Sequence, residues 1–226
     1  GIPILRGEVT AVRSFLMGQG FVLHGDCGEI GASCVIASTG TDPVRLGTPG
    51  AREAEGTRLF YDVRGLLAAY KTPARVLVVG GGEAALDSAL SVACVGARVR
   101  ILVRAEKLRA RGRLTDVVEH NPAIQITPRV TVRHIRCAES GIELEVTGPN
   151  GTGTEAADAL LVAIGRRSNV GSLFPEPIID SGKPDKTTVP GLFVAGDAAS
   201  GSLGQVGMAV GDGLAAAMAA VAALSE

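Results

Sequence analysis

The segment Val76-Leu-Val-Val-Gly-Gly-Gly-Glu-Ala-Ala85 carries the most chemically informative spacing in the chain. Gly80-Gly81-Gly82-Glu83-Ala84-Ala85 fits G-x-G-x-x-A directly after a run of strand-forming residues. In such a turn the first glycine permits the tight bend. The second removes a side chain where a pyrophosphate approaches the backbone, and the small residue at 85 lets helix and strand pack closely. A helix opening here offers N–H groups and a partial positive charge to phosphates. The chemistry would be dinucleotide binding. Without a ligand, the same residues would be only a tight turn.

An NAD site places an acid about 20 residues further on, at the end of the next strand. Here Ile101-Leu-Val103 is followed by Arg104, and Arg109, Arg111 and Arg113 come soon after. An acid would bind the ribose hydroxyls and repel a 2′-phosphate, whereas arginine attracts it, often with two bonds. The pattern favours NADP over NAD. The alternative is a solvated basic helix face, to which Glu106 and Lys107 are assigned.

A second apolar run, Phe193-Val-Ala-Gly196-Asp197, ends in a carboxylate. Ligands of open α/β sheets bind at such carboxyl edges. Asp197 would accept hydrogen bonds from a polyol chain, or else serve as a cap. Gly204-Gln205-Val206 opens a helix containing Ala209, Gly211 and Gly213, whose small residues would let a flat ring lie near its start.

Other chemistry finds little support. Cys27, Cys34, Cys94 and Cys137 are scattered with no C-x-x-C pair, so disulfide scaffold, zinc site and redox dithiol are disfavoured. His24, His120 and His134 stand alone and read as surface or structural residues. No metal ligands and no catalytic side chain are assigned. A net charge of −1 argues against nucleic acid or a membrane surface as partner. No run of about 18 apolar residues is apparent, the Ala-rich stretch 214–224 being shorter. No signal peptide is visible, and a cytoplasmic location is expected.

The elements that must position these residues follow from composition and periodicity. The chain has 226 residues, 46% of them hydrophobic but only 3% aromatic, with 31 glycines, so the core must be built from Ala, Val, Leu and Ile. That suits close-packed parallel sheets and helices. Strands are expected at 8–13, 20–24 and 33–37, with a turn at Asp26-Cys-Gly28 and a hinge at 46–50. A helix is expected over 62–70, then strand 75–79, helix 83–95 and strand 98–103, a βαβ unit. The Arg-rich stretch 105–118 reads as helical. Strands near 124–127, 130–135, 142–147 and 159–163 follow, with Gly148-Pro-Asn-Gly151 as a turn. A loop-rich stretch 171–190, a strand at 192–195 and a long helix from about 205 complete the chain.

In this order the motifs resemble the thioredoxin reductase-like class of pyridine nucleotide-dependent flavin oxidoreductases. Ala37-Ser-Thr39-Gly40 resembles the strand end of the flavin domain. Gly80 to Asp87 resembles the NADPH fingerprint. Val162-Ala-Ile164-Gly165 with Asn169 resembles the second strand end, and Thr188 to Asp197 with Gln205 resembles the FAD-closing motif. The resemblance implies an α/β fold of two Rossmann-like three-layer dinucleotide-binding domains, the flavin domain being interrupted by the NADP domain. It implies residues 1–50 and 171–226 for the FAD-type domain and 51–170 for the NAD(P)H-binding domain. It also implies that Asp197 binds the FAD ribityl chain, that Gln205 and Val206 present N–H groups to the isoalloxazine ring, and that the protein is a homodimer.

Three departures shape the expectation. The glycine-rich FAD fingerprint of the family's N-terminal segment has no counterpart before residue 76, so the flavin domain reads as incomplete and a weak hold on FAD is expected. The family's redox C-x-x-C would fall between Thr57 and Ala69, where there is no cysteine. The family's His-Arg-Arg element is Val103-Arg104-Ala105. The function expected is an FAD-dependent NADPH oxidoreductase without a dithiol, passing electrons to a small molecule or small redox protein, as in ferredoxin–NADP reductases of this type. The alternative is a non-catalytic NADP(H)-binding module that holds no flavin stably.

Overall fold

The computed structural model describes residues 2–14, 20–174, 179–180, 183–200 and 204–225. It divides into two compact units, Pro43–Gly165 and Gly1–Asp42 with Arg166–Glu226. The breaks fall at 42/43 and 165/166, whereas the resemblance implied 50/51 and 170/171.

The unit Pro43–Gly165 is built on a five-stranded parallel sheet in the order Leu59–Phe60, Ala159–Val162, Arg75–Val79, Arg98–Val103, Ile124–Pro128. Its central strands read as unbroken apolar runs because both faces are covered. Alternation decides which side chain meets which layer. Val76 and Val78 pack with Leu66, Leu86, Ala89 and Val92 from the helices Val63–Ala69 and Glu83–Ala93. Leu77, between them, packs on the other face with Ile135, Ile142 and Leu144. That face is covered by an antiparallel sheet of Thr131–Ala138, Gly141–Gly148 and Gly151–Ala157. The three layers are therefore helices, parallel sheet and antiparallel sheet.

Polar ties hold the layers together. Arg100 reaches from its parallel strand to both carboxylate oxygens of Glu155, at 2.6 and 2.8 Å, and to Thr127 Oγ1 at 2.9 Å. Asp158 Oδ2 accepts from the N–H groups of Ala74 and Arg75, at 2.7 and 3.0 Å, and so fixes the start of the fingerprint strand.

The other unit has a three-stranded antiparallel sheet, Val9–Ser14, Phe21–Gly25 and Gly28–Ala32, and a parallel pair, Val35–Ala37 with Leu192–Val194. Val12, Phe21, Ala37, Leu192, Val194 and Ala198 form its core. The helix Val206–Ala223 packs on Leu192–Val194 and buries only Ala216 and Ala220. Val210, Leu214 and Met218 are 68%, 65% and 66% exposed. The expected apolar stretch 214–224 is thus part of an 18-residue helix, which by length and composition alone is long and apolar enough to cross a membrane.

Three expectations about elements are corrected. Of the stretch 105–118, only Arg113 onward is helical, in the helix Arg113–Glu119. Residues 104–112 form a loop because the N–H groups of Arg109 and Ala110 donate to Gly81 O, at 2.7 and 3.2 Å, instead of to a helical turn. Two strands with no counterpart in the sequence reading, Gly28–Ala32 and Gly151–Ala157, follow the turns expected at 26–28 and 148–151. Strand pairs also occur in the stretch 171–190, where Ile179–Asp180 pairs with Lys183–Thr187; residues 175–178 and 181–182 lie outside the described set.

Within the glycine turn the closest approach to a neighbouring strand is at Gly80. Its φ is 150°, and a β-carbon there would overlap the Ala163 carbonyl oxygen and lie 3.0 Å from Ala85 Cβ. Gly80→Ala should therefore destabilise the fold by about 2 kcal/mol. The thermal midpoint followed by circular dichroism should fall by roughly 4–8 °C. An unchanged midpoint would show that the strand ends do not meet so closely.

Candidate functional site

The strand Arg75–Val79 delivers the glycine turn to the carboxyl edge of the parallel sheet. Gly80 N donates to Leu102 O at 3.2 Å, tying the turn to the neighbouring strand. Gly81 is buried, and a β-carbon on it would sit 2.8 Å from Val103 Cγ1. Gly82 caps the helix Glu83–Ala93 with no side-chain hydrogen bond of its own. A β-carbon on it would meet only Arg109 Nη2, at 3.9 Å. The first-turn N–H groups of Glu83 and Ala84 have no helical acceptor, as at any helix start. Their side chains are exposed, whereas Ala85 is fully buried and serves packing.

Beyond Val103 the chain leaves the sheet at Arg104 and folds back over the turn. The Arg109 and Ala110 N–H groups clamp it to Gly81, and Val130 N donates to Val103 O at 2.9 Å. Between turn and loop lies a cavity of about 490 Å³, lined by Gly80, Gly81, Arg104, Lys107, Arg109 and Ile164 among others. No carboxylate lines it. Arg104, Lys107 and Arg109 make no ion pair among the described residues. Elsewhere in this unit Arg45 pairs with Glu55 and Arg129 with Glu106. A cavity with unmatched cations beside an uncapped helix start suits an anionic ligand.

Sequence reasoning thus named five lining residues, Gly80, Gly81, Arg104, Arg109 and Ile164. It missed Lys107, which it placed on a solvated helix face because the loop's composition favours a helix. Gly165, with φ 121°, follows Ile164 and accepts a 3.0 Å hydrogen bond from Val44 N, so it shapes the chain's exit from the sheet.

The remaining candidates gather in the other unit. The parallel pairing of Val35–Ala37 with Leu192–Val194 brings Thr39-Gly40 and Gly196-Asp197 out at one edge, where Ala195 N donates to Ala37 O at 3.1 Å. Gly40 and Gly196 turn with φ of 72° and 71°. Asp197 is exposed at the first position of the helix Asp197–Ser200. A β-carbon on Gly204 would come 2.7 Å from Asp197 Oδ1, so a side chain there would displace that carboxylate. Gln205 and Val206 are exposed at the start of the long helix. Beside Gly40, which accepts from Asn169 N at 3.4 Å, Ser168 Oγ and Asn169 Oδ1 are buried without partners. Polar atoms left unpaired in this way mark a place where a ligand can complete the hydrogen bonding.

Thiol and metal chemistry have no assembled centre. All four cysteines are free. The Asp26 carboxylate, hydrogen-bonded to the exposed Cys27 thiol, pushes its pKa up and keeps it from the reactive thiolate form. Cys94 caps the far end of the helix Glu83–Ala93, about 17 Å from the glycine turn at 1.5 Å per residue. Where the family's C-x-x-C was expected, Leu59–Phe60 is a strand and Asp62 caps the helix Val63–Ala69 through Gly65 N at 2.8 Å. No group of three His, Cys, Asp or Glu able to hold a metal occurs among the described residues.

Known proteins share this arrangement. The family described as pyridine nucleotide-disulphide oxidoreductase matches residues 7–213. A thioredoxin reductase of Treponema pallidum is 30% identical over 228 residues, which cover 97% of this chain and 73% of that protein. A ferredoxin–NADP reductase of Levilactobacillus brevis is 28% identical over 206 residues, 84% of this chain and 60% of that protein. The solved thioredoxin reductase of Lactococcus lactis superposes with a TM-score of 0.85 at 23% identity, over 97% of this chain and 75% of that one, a likeness of fold. The thioredoxin reductase-like resemblance is borne out: the chain belongs to the pyridine nucleotide-disulphide oxidoreductase family, the flavin-dependent NAD(P)H oxidoreductases.

Proposed function

We propose that the chain serves an FAD-dependent NADPH oxidoreductase that passes electrons from NADPH through flavin to an acceptor without a redox dithiol. The observation that carries this reading is the cavity at the glycine turn, with three unmatched cations and no carboxylate. Gly80 to Gly82 and the first-turn N–H groups of Glu83 and Ala84 would hold the pyrophosphate, with Ala85 packing the helix against the strand. Arg104 and Arg109 would hold the 2′-phosphate. Ile164 and Gly165 would border the dinucleotide where the strand Ala159–Val162 ends. In the other unit Thr39, Gly40 and Gly196 would leave room for FAD. Asp197 would accept from its ribityl hydroxyls, and the N–H groups of Gln205 and Val206 would face its ring. Bound together, the cofactors supply a hydride donor and a hydride acceptor, while the protein supplies binding and orientation.

The scattered thiols support direct transfer to a small molecule or a small redox protein, as the name of the ferredoxin–NADP reductase relative describes for that protein. A homodimer is proposed on family grounds. A second reading, an NADP(H)-binding module with no stably held flavin, is favoured by one observation. Among the described residues, the flavin-type unit pairs the parallel strands Val35–Ala37 and Leu192–Val194 and leaves Val210, Leu214 and Met218 exposed. Absorbance near 450 nm after incubation with FAD and desalting separates the two: stoichiometric flavin supports the first reading, and none supports the second.

Arg104→Ala should weaken NADPH binding about tenfold, the loss of one charge-assisted contact of about 1.5 kcal/mol, and leave NADH nearly unchanged. Equilibrium titration with both nucleotides checks this, and equal losses would sink the 2′-phosphate assignment.

Replacing Cys27, Cys34, Cys94 and Cys137 together by Ser should leave NADPH-dependent reduction of an artificial acceptor such as ferricyanide within about twofold, since no disulfide relay is needed. Loss of turnover with the circular dichroism spectrum intact would show that thiols carry electrons.

A further inference from the structure

The loop over the glycine turn presents a cation that the fingerprint does not. The chain is fixed on both sides of Lys107. Before it, Val130 N donates to Val103 O at 2.9 Å and Arg129 N donates to Ala105 O at 3.1 Å. After it, the N–H groups of Arg109 and Ala110 donate to Gly81 O. Only residues 106–108 bridge these anchors, and all three border a second cavity on the far side of the loop, together with Glu119. Leu108 packs against the core shared with the fingerprint helix. Glu106 pairs with Arg129. Lys107 alone of the three also lines the cavity at the glycine turn, with Gly81, Arg104 and Arg109, and has no ion-pair partner among the described residues.

Arg129 is itself informative. Its φ of 58° makes it the non-glycine residue with positive φ among the described residues. Such a conformation costs on the order of 1 kcal/mol and persists where the surroundings impose it. From that conformation its N–H reaches Ala105 O and its guanidinium reaches Glu106. The carboxylate that would otherwise lie beside the cations is thereby engaged elsewhere, and it does not line the cavity.

We propose that Lys107 is a specificity-determining residue, the third cation for the 2′-phosphate, and that Arg129 is a positioning residue that keeps Glu106 from neutralising it. This rests on the NADPH reading above. A phosphate monoester carries roughly −1.5 to −2 charge at pH 7 and three acceptor oxygens, enough for three cations. Arg104 and Arg109 offer planar forks. Lys107 offers a compact charge on a flexible stem that follows the phosphate rather than fixing its plane. With alanine at 105, the lysine supplies the charge that the family's middle arginine would bring.

The test is equilibrium titration of the purified chain and its variants with 2′,5′-ADP, NADPH and NADH, with thermal melts to check folding. Lys107→Ala should weaken 2′,5′-ADP and NADPH about fivefold, as expected for a partly solvated charge pair, and leave NADH unchanged. Lys107→Arg should retain most of the preference. Arg129→Ala should weaken 2′,5′-ADP about two- to threefold, within the range of one exposed pair, and adding Glu106→Gln should restore it. Restoration is a readout that mere loosening of the loop would not give. Lys107→Ala binding 2′,5′-ADP like the parent, or losing NADH equally, overturns the assignment. If the parent prefers NADPH and Arg104→Ala abolishes the preference while Lys107→Ala does not, only the lysine inference falls. If the parent does not discriminate between the nucleotides, the NADPH reading falls with it.

Discussion

The geometry of the nucleotide-type unit hangs on the hydrogen bonds that converge on the Gly81 carbonyl. Arg109 N and Ala110 N both donate to it, and through them the loop after the strand Arg98–Val103 is folded onto the turn after the strand Arg75–Val79. Two neighbouring parallel strands thus end in one cationic concavity rather than in separate loops. The bonds need the turn to come very close to its neighbours, and Gly80 and Gly81 permit that approach. A side chain at either would collide with Ala163 O or Val103. The glycines therefore act first on protein packing. Gly82 alone faces open space toward Arg109, as a phosphate-facing residue should.

Where arginine bridges layers it is matched, as Arg100 is with Glu155 and Thr127. On an exposed connection Arg45 pairs with Glu55 while stacking over the Tyr61 ring at 4.6 Å. Arg104, Lys107 and Arg109, without an ion-pair partner among the described residues, line one cavity. Like charges held close together repel, so the cluster costs stability without a ligand and is relieved by an anion.

Much of this was legible in the sequence. The unbroken apolar runs of the parallel strands, the glycine spacing and the arginine after Val103 each follow from local chemistry, and each lies where the chain pattern puts it. What escaped was set by tertiary contacts. Arg104 to Gly112 has good helix formers, but its N–H groups are taken by a carbonyl more than twenty residues away, and Gly112 with φ 76° delays the helix. Gly151-Thr-Gly-Thr-Glu-Ala-Ala157 has little strand character of its own and is a strand because Gly141–Gly148 offers a full ladder across a tight turn. Lys107 was missed for the same reason as its loop: its direction is a product of the two anchors beside it.

The two units differ in how much of their stability they hold within themselves. The nucleotide-type unit buries its central strands on both faces, with Leu77, Ile101, Leu102, Leu160 and Leu161 at 1% exposure or less. The flavin-type unit has a helix apolar on both sides, of which the strand Leu192–Val194 covers one. Val210, Leu214 and Met218 recur at four-residue spacing, so they form a single stripe on the uncovered side. A helix hydrophobic all round is one suited to burial all round. Burial of that stripe would strengthen the packing behind Gly196 and Asp197, whereas nothing comparable is needed at Gly80. The two units therefore differ in how far packing within the chain covers their apolar surface: one has a closed core, and the other leaves one helix face exposed.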